Sequence, residues 1–300
     1  MNAFHHVSLL TRYANDNKNF YTELLGLRFV KNTVNQDNHR MLHWYYGDYT
    51  GSPGSVVTFF VVPRLGARQD NKNSLQTIGL KLPVNSLSFW ENRLNDAGIS
   101  FEKNNHTLQF FDEDNVKVFL NETTLPPLTD EKVATHTDIP QDKQIIGLAS
   151  TEFHVPDVVQ TADFFEKLLG WKMTGDKIIF NETEFITITQ SNSDEKSHMG
   201  RGSMDHVAFA VKDDEALRAL HDKAKEQGWN IEKMISRGYF KSLYIREPGG
   251  NRVEFATLQP GFTIDEPLET LGESFALPPF LQKQRAEIEA NVYEEELKEE

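Results

Sequence analysis

The strongest constraint on this 300-residue chain is that it repeats itself. Asp163-Phe164-Phe165-Glu166-Lys167-Leu168-Leu169-Gly170-Trp171 echoes Asn19-Phe20-Tyr21-Thr22-Glu23-Leu24-Leu25-Gly26-Leu27. In both, apolar residues recur at helical spacing, and a glycine stands where a helix ends in left-handed backbone. The same plan of strand, helix, then two or three strands surrounds two further helical patterns, 86–97 and 213–227. A fixed plan used four times is the signature of a repeated structural unit.

The first unit spans 4–63. It has strands predicted at 6–10, 28–34, 41–46 and 55–62, a helix at 17–25, and a turn at Gly51-Ser52-Pro53-Gly54. The second covers 75–121, with a strand at 77–82 and short strands near Phe101, 107–111 and 116–120. A linker-like stretch with three prolines follows at 122–143. The third unit is 145–190. The fourth, 202–257, has strands at 204–211, 231–237, 242–246 and 252–257, with a Glu247-Pro248-Gly249-Gly250 turn before the last. After Pro260 comes a tail with a helix-like run at 282–292, expected to pack across the core rather than carry chemistry. The expected architecture is α+β: four tandem βαβββ modules forming two curved-sheet half-barrels. The chain divides accordingly into an N-terminal pair of modules (1–122), a linker (123–143), a C-terminal pair (144–260) and a tail (261–300).

Composition narrows the function. The formal net charge is -14, which disfavours a phosphate backbone or an anionic membrane surface as partner. Much of the acid crowds the C-terminus at Glu294, Glu295, Glu296, Glu299 and Glu300, where a solvated tail is expected. The absence of cysteine excludes disulfides, thiolate metal sites and cysteine nucleophiles. No basic-then-apolar leader and no membrane-length apolar run is present, so the expectation is a soluble cytoplasmic protein. The 21 phenylalanines suit ring-packed cores and a pocket for a flat substrate.

Aligning the units on their helices sets His6 against Ser150, with the equivalent place near Thr77 in the second unit and at His206 in the fourth. At the matching place in the last strand, the fourth unit has Glu254 and the first has Thr58. Two imidazoles and one carboxylate leave about three positions open on an octahedral ion, the arrangement a ferrous ion needs to take a chelating substrate and dioxygen. The assignment requires units one and four to pair, with two and three forming the other pair; completion by a second subunit, in a homodimer, is the alternative. Strand alternation sends His5 to the face opposite His6, and points Asp205 away from the metal.

At these residues the sequence resembles the vicinal oxygen chelate superfamily, which includes glyoxalase I, bleomycin-resistance proteins and extradiol dioxygenases. Within it the likeness is to bacterial ring-cleaving dioxygenases of the hydroquinone and catechol resistance type. The matching runs are His5-His6-Val7-Ser8, Tyr45-Tyr46-Gly47-Asp48 with Gly51-Ser52-Pro53-Gly54, His206-Val207-Ala208-Phe209, Arg237-Gly238-Tyr239-Phe240 through Arg246-Glu247-Pro248-Gly249-Gly250, and Leu277-Pro278-Pro279. The resemblance implies Fe(II) held by His6, His206 and Glu254; affinity order leaves Zn, Mn or Ni open as the ion after purification, and no cofactor-binding residues are expected. It also implies that Tyr244 hydrogen-bonds a metal-bound substrate oxygen. Asp205 stands where relatives often carry a second histidine, and Ser150 where well-known extradiol enzymes have a ligand histidine.

The activity expected is ring cleavage of a catechol or hydroquinone-like diol by dioxygen, in detoxification of aromatics, with no nucleic acid or membrane partner. His43 and His198 are the candidate bases, and Arg237, Tyr239 and Arg246 candidate residues of the pocket mouth. Two other readings are a glyoxalase-like isomerase or thiol-transferring lyase on Zn(II), Ni(II) or Mn(II), and a protein that sequesters an aromatic compound. Thr58 in place of a second carboxylate weighs against the first, and the three-ligand set against the other.

Overall fold

The computed structural model describes residues 3–296, the last four by their backbone alone. The C-terminal acidic run therefore lies outside the described side chains, and residues 297–300 outside the described residues.

Unit one comprises β1 (Phe4–Thr11), α1 (Ala14–Asn19), β2 (Arg28–Asn35), β3 (Asn38–Gly47) and β4 (Val56–Val61). Unit two has β5 (Ser74–Leu75), β6 (Thr77–Leu82), α2 (Leu87–Asp96), β7 (Glu102–Asn104), β8 (Thr107–Phe111) and β9 (Lys117–Glu122). Unit three has β10 (Gly147–Val155), α3 (Val158–Leu169), β11 (Met173–Thr174), β12 (Lys177–Asn181) and β13 (Glu184–Gln190). Unit four has β14 (Met204–Val211), α4 (Asp214–Glu226), β15 (Asn230–Ser236), β16 (Lys241–Arg246) and β17 (Arg252–Thr257). The tail ends in α5 (Arg285–Glu296), which lies against β3. Among the described residues no helix is long and apolar enough to cross a membrane.

The units assemble into two mixed sheets. One runs β15-β16-β17-β14-β1-β4-β3-β2, the other β11-β12-β13-β10-β6-β9-β8-β7 with β5 beside β10. Unit one thus joins unit four, and unit two joins unit three, as the ligand alignment required. The seam of the first sheet is the antiparallel pair β1 and β14, with Val7 opposite Val207. Phe4, Val7, Phe209, Leu80, Phe153 and Phe165 belong to one continuous buried core shared by both sheets.

The two echoing helices differ. α3 is regular, and Asp157 at its N-cap accepts from the Gln160 amide at 3.0 Å. The pattern predicted at 17–25 instead starts as α1 at Ala14 and widens into a π-helical turn, Phe20–Leu24. There the Leu25 amide bonds the Phe20 carbonyl five residues back. Tyr21, inside this turn, is tied to unit two by its hydroxyl, which donates to Asp112 at 3.0 Å, and it stacks on Tyr46. A sequence echo carries the helix and its stop, but not ties to a neighbouring unit.

The tail straps the outer strands of unit one. Lys31 on β2 is fully buried, and its ammonium meets Asp265 at 2.7 Å, Glu266, and the Phe262 carbonyl at 3.1 Å. The Tyr239 hydroxyl donates to the same Asp265 at 2.7 Å. Removing the cation would leave two buried carboxylates without it. Lys31→Met is expected to lower unfolding stability by about 3 kcal/mol in urea titrations, and to expose the tail to limited proteolysis.

Candidate metal centre and its cavity

His6 on β1, His206 on β14 and Glu254 on β17 converge at the floor of the first sheet, all three buried. One ligand atom from each lies within 4.8 Å of the others. The two Nε2 atoms are 3.2 Å apart, and Glu254 Oε2 is 2.9 Å from His206 Nε2 and 3.4 Å from His6 Nε2. The strand registers produce this. Across the β1/β14 seam His6 faces Ala208 and Ser8 faces His206, so the two histidines are related by a local two-fold through Val7 and Val207. Ala208 in turn faces Glu254, as Ser8 faces Thr58, so Thr58 occupies the place equivalent to Glu254.

Each ligand's second heteroatom is held by the protein. Here alternation fails: His5 does not point to the opposite face, and Asp205 does not point away. The seam carries two β-bulges, one where Phe4-His5-His6 oppose only Phe209 and Ala208, the other where Met204-Asp205-His206 oppose only Leu9 and Ser8. The extra residue in each, His5 and Asp205, therefore comes beside its ligand. His5 Nδ1 lies 2.9 Å from His6 Nδ1, and His5 Nε2 lies 3.2 Å from the Thr257 carbonyl. Asp205 Oδ2 lies 2.7 Å from His206 Nδ1, and Ser242 donates to Glu254 Oε1 at 2.5 Å.

These partners dictate tautomers. The Thr257 carbonyl can only accept, so His5 carries its proton on Nε2 and accepts at Nδ1 from His6 Nδ1–H. Asp205, ionised, likewise accepts from His206 Nδ1–H. Both neutral rings are thereby left with Nε2 lone pairs facing one another, beside Glu254 Oε2, a buried oxygen with no hydrogen-bond partner. Such a set repels itself unless a proton or a metal ion sits among its members. Outer partners of this kind orient metal-bound imidazoles generally.

Electrostatics agree. Burial pushes Glu254 up, but the His6 and His206 imidazoles more than offset it and hold its carboxyl well below the ordinary range. Burial lowers His206, yet Glu254 and Asp205 together raise it above its usual value. Burial keeps His6 low against the pull of Glu254, and takes His5 down to about 3, helped by His6. The position draws positive charge while His5 stays neutral. The corresponding places in the second sheet, by register, are Ser150, Thr77 and Phe119, with Gly79 pressed against Ser150. These cannot hold an ion.

Over the triad lies a small cavity of about 20 Å³. His43, Tyr45 and Phe60 of unit one form one wall, and Arg237, Phe240 and Tyr244 of unit four the other. Asn35 and Gln36 reach it from the β2–β3 turn. His43 Nδ1 is 2.9 Å from the Tyr45 hydroxyl, and its Nε2 is 3.0 Å from Thr58 Oγ1, which donates to Ser8. Burial, then the neighbouring His206, holds His43 well below its normal value. Tyr244 packs edge-on to His206, accepts from Arg237 Nε at 3.2 Å, and is pushed well up by burial and by Glu254. Arg237, predicted at the mouth, is there.

Other predicted positions fall elsewhere. His198 is exposed, paired through its backbone with Gln69, and lines a separate depression that contains none of the triad. It lies in the loop between β13 and β14, whose path no local pattern specifies. Tyr239 is buried against the tail, and Arg246 pairs with Glu232 beside that same depression. A larger hollow of about 740 Å³, between α2 and the first helix of the chain, also holds none of the triad. Sequence reading missed Tyr45, Phe60, Gln36 and Ser242. Tyr45 pairs with Thr58 as Tyr244 pairs with Glu254, so alignment of those strands in the repeat was the available signal for Tyr45.

Known proteins match this picture. Residues 147–255 fit the Glyoxalase/Bleomycin resistance protein/Dioxygenase superfamily. MhqA of Bacillus subtilis (strain 168), whose name gives it provisionally as a ring-cleaving dioxygenase, is 34% identical over 97% of this chain and 98% of its own length. Chlorohydroquinone/hydroquinone 1,2-dioxygenase of Sphingobium indicum is 24% identical over 95% of this chain and 94% of its own. The crystal structure of a Bacillus subtilis protein described provisionally as a dioxygenase superposes with a TM-score of 0.87, at 26% identity and 96% coverage of both chains. Glyoxalase I from Zea mays shares the fold, with a TM-score of 0.57 at 13% identity over 85% of this chain and 92% of its own. The chain belongs to the glyoxalase/bleomycin resistance protein/dioxygenase superfamily, and within it to the ring-cleaving dioxygenases.

Proposed function

We propose that this protein is an Fe(II)-dependent, extradiol-type dioxygenase that opens the ring of a hydroquinone or catechol-like diol, serving to clear reactive aromatics. One observation carries the reading most: both Nε2 lone pairs and the orphaned Glu254 oxygen are aimed at one buried point, with their outer partners already in place. The name of the Sphingobium relative, which acts on chlorohydroquinone and hydroquinone, supports the substrate class.

His6, His206 and Glu254 would hold the ion. Iron, when bound, supplies open positions for diol and dioxygen and a path for electrons between them. The chain's own residues do the rest. The aromatic walls Phe60 and Phe240 fix the plane of a flat ring and exclude water. Tyr244, whose oxygen already accepts from Arg237, offers its hydroxyl to a substrate oxygen beside the triad. His43 is the base. With Nε2–H given to Thr58, its lone pair is at Nδ1, where Tyr45 O–H meets it, so a proton leaving the substrate reaches His43 through the Tyr45 hydroxyl. Burial keeps His43 unprotonated. The glyoxalase-like alternative needs a second carboxylate at Thr58, and that hydroxyl is engaged by Ser8 and His43.

Protein reconstituted anaerobically with Fe(II) and mixed with a diol should take up one dioxygen per ring on exposure to air and give a ring-opened product. Turnover of glutathione adducts on Zn(II) or Ni(II), with no uptake for any diol, would overturn the proposal. His6→Ala should lose bound iron as severely as His206→Ala, measured by metal analysis; retention in the first would remove His6 from the ligand set. Asp205→Asn keeps an acceptor but not the charge, and should weaken iron binding by about 10–100-fold in competition with a chelator, with the fold unchanged by circular dichroism.

A further inference from the structure

The cavity over the triad contains an orphan of its own. Gln36 lines it from the turn between β2 and β3, and its side-chain Oε1 is buried with no hydrogen-bond partner. The amide orientation is not arbitrary: Nε2 donates to the Arg237 carbonyl at 2.5 Å, which leaves Oε1 as the acceptor. A buried, unpaired amide oxygen is costly unless something fills its place. His6 and His206 line the same cavity, and Gln36 sits beside Asp37, whose side chain is 43% exposed. Gln36 therefore shares the cavity with two of the three candidate ligands and enters it from a solvent-facing turn.

We propose, resting on the dioxygenase reading above, that Gln36 is a specificity-determining residue: its Oε1 accepts a hydrogen bond from a ring hydroxyl distal to the metal. A diol that chelates with adjacent oxygens spends both at the floor and leaves Gln36 unpaired. A hydroquinone-type diol presents one oxygen to the triad and the other to Gln36. Its ring must first be admitted, since the cavity holds about 20 Å³ and a benzene-sized ligand needs roughly 150 Å³. The turn that carries Gln36 is held by Asp37 to Lys233 at 2.5 Å and to Arg237 at 2.9 Å, contacts at the solvent-facing end that admission of a ring past Gln36 would have to break.

The test is a two-by-two cycle on the Zn(II)-loaded protein, in which binding is read without turnover, by anaerobic calorimetry. Wild type should bind hydroquinone about tenfold more tightly than 4-methoxyphenol, which keeps the ring but lacks the distal donor, and Gln36→Leu should erase that difference. Catechol affinity should change less than about twofold in the variant, since no donor reaches Gln36. The wild-type comparison stands even if the variant folds poorly. Equal binding of hydroquinone and 4-methoxyphenol by wild type overturns the inference, as does a difference that survives in Gln36→Leu. Both outcomes leave the dioxygenase reading intact if Fe(II) protein still cleaves the diol. Absence of binding by any diol overturns the inference, and the dioxygenase reading falls with it only if the Fe(II) protein also takes up no dioxygen.

Discussion

Everything at the candidate site depends on one strand pairing, the antiparallel seam between β1 and β14. These strands are almost two hundred residues apart, and no ligand set exists until they meet. The seam lies on a local two-fold, so each half delivers a histidine at the same height. The symmetry is then broken chemically: Glu254 answers to Thr58, Ser242 to His43, and Asp205 to His5. A symmetric set with a carboxylate on each side would close a fourth position. The asymmetric set would leave one side of a bound ion to a hydroxyl-and-imidazole network instead.

The bulges in that seam do a second job. A regular ladder would bury His6 and His206 but turn their sequence neighbours to the other face. Inserting one residue in each strand brings His5 and Asp205 onto the ligands, and these set which nitrogen of each ring is bare. The site is thus organised for a cation by hydrogen bonds that begin at an ordinary backbone carbonyl, that of Thr257. The second sheet shares the topology but has Ser150, Thr77 and Phe119 at the equivalent places, and with them its capacity for an ion is gone. Fold and site are separable here, as they are in any superfamily that hosts many reactions.

Much of this was legible beforehand. Residues 204–211 and 252–257 were read as strands and are strands, because alternating β-branched and aromatic residues between turn signals leave little choice. The pairing of unit one with unit four followed from the chemistry of His6, His206 and Glu254, since three ligands cannot serve one ion unless their strands meet. The first helix was less faithful to its pattern, beginning three residues early and widening into a π turn where Tyr21 reaches across to Asp112. His198 was chosen for its residue type and its place before a ligand strand, and loop geometry carried it to the outside.

By itself, the sequence determined the units, their order and the candidate triad, because periodicity and side-chain chemistry are local properties that a repeat makes visible twice. Only the tertiary structure decided what surrounds the triad: the contacts of His5 and Asp205, the His43–Tyr45 wall, and the place of Gln36 in the cavity. A bulge belongs to the hydrogen-bond ladder between two strands, and a cavity wall to chains distant in sequence. Neither leaves a periodicity in either strand alone.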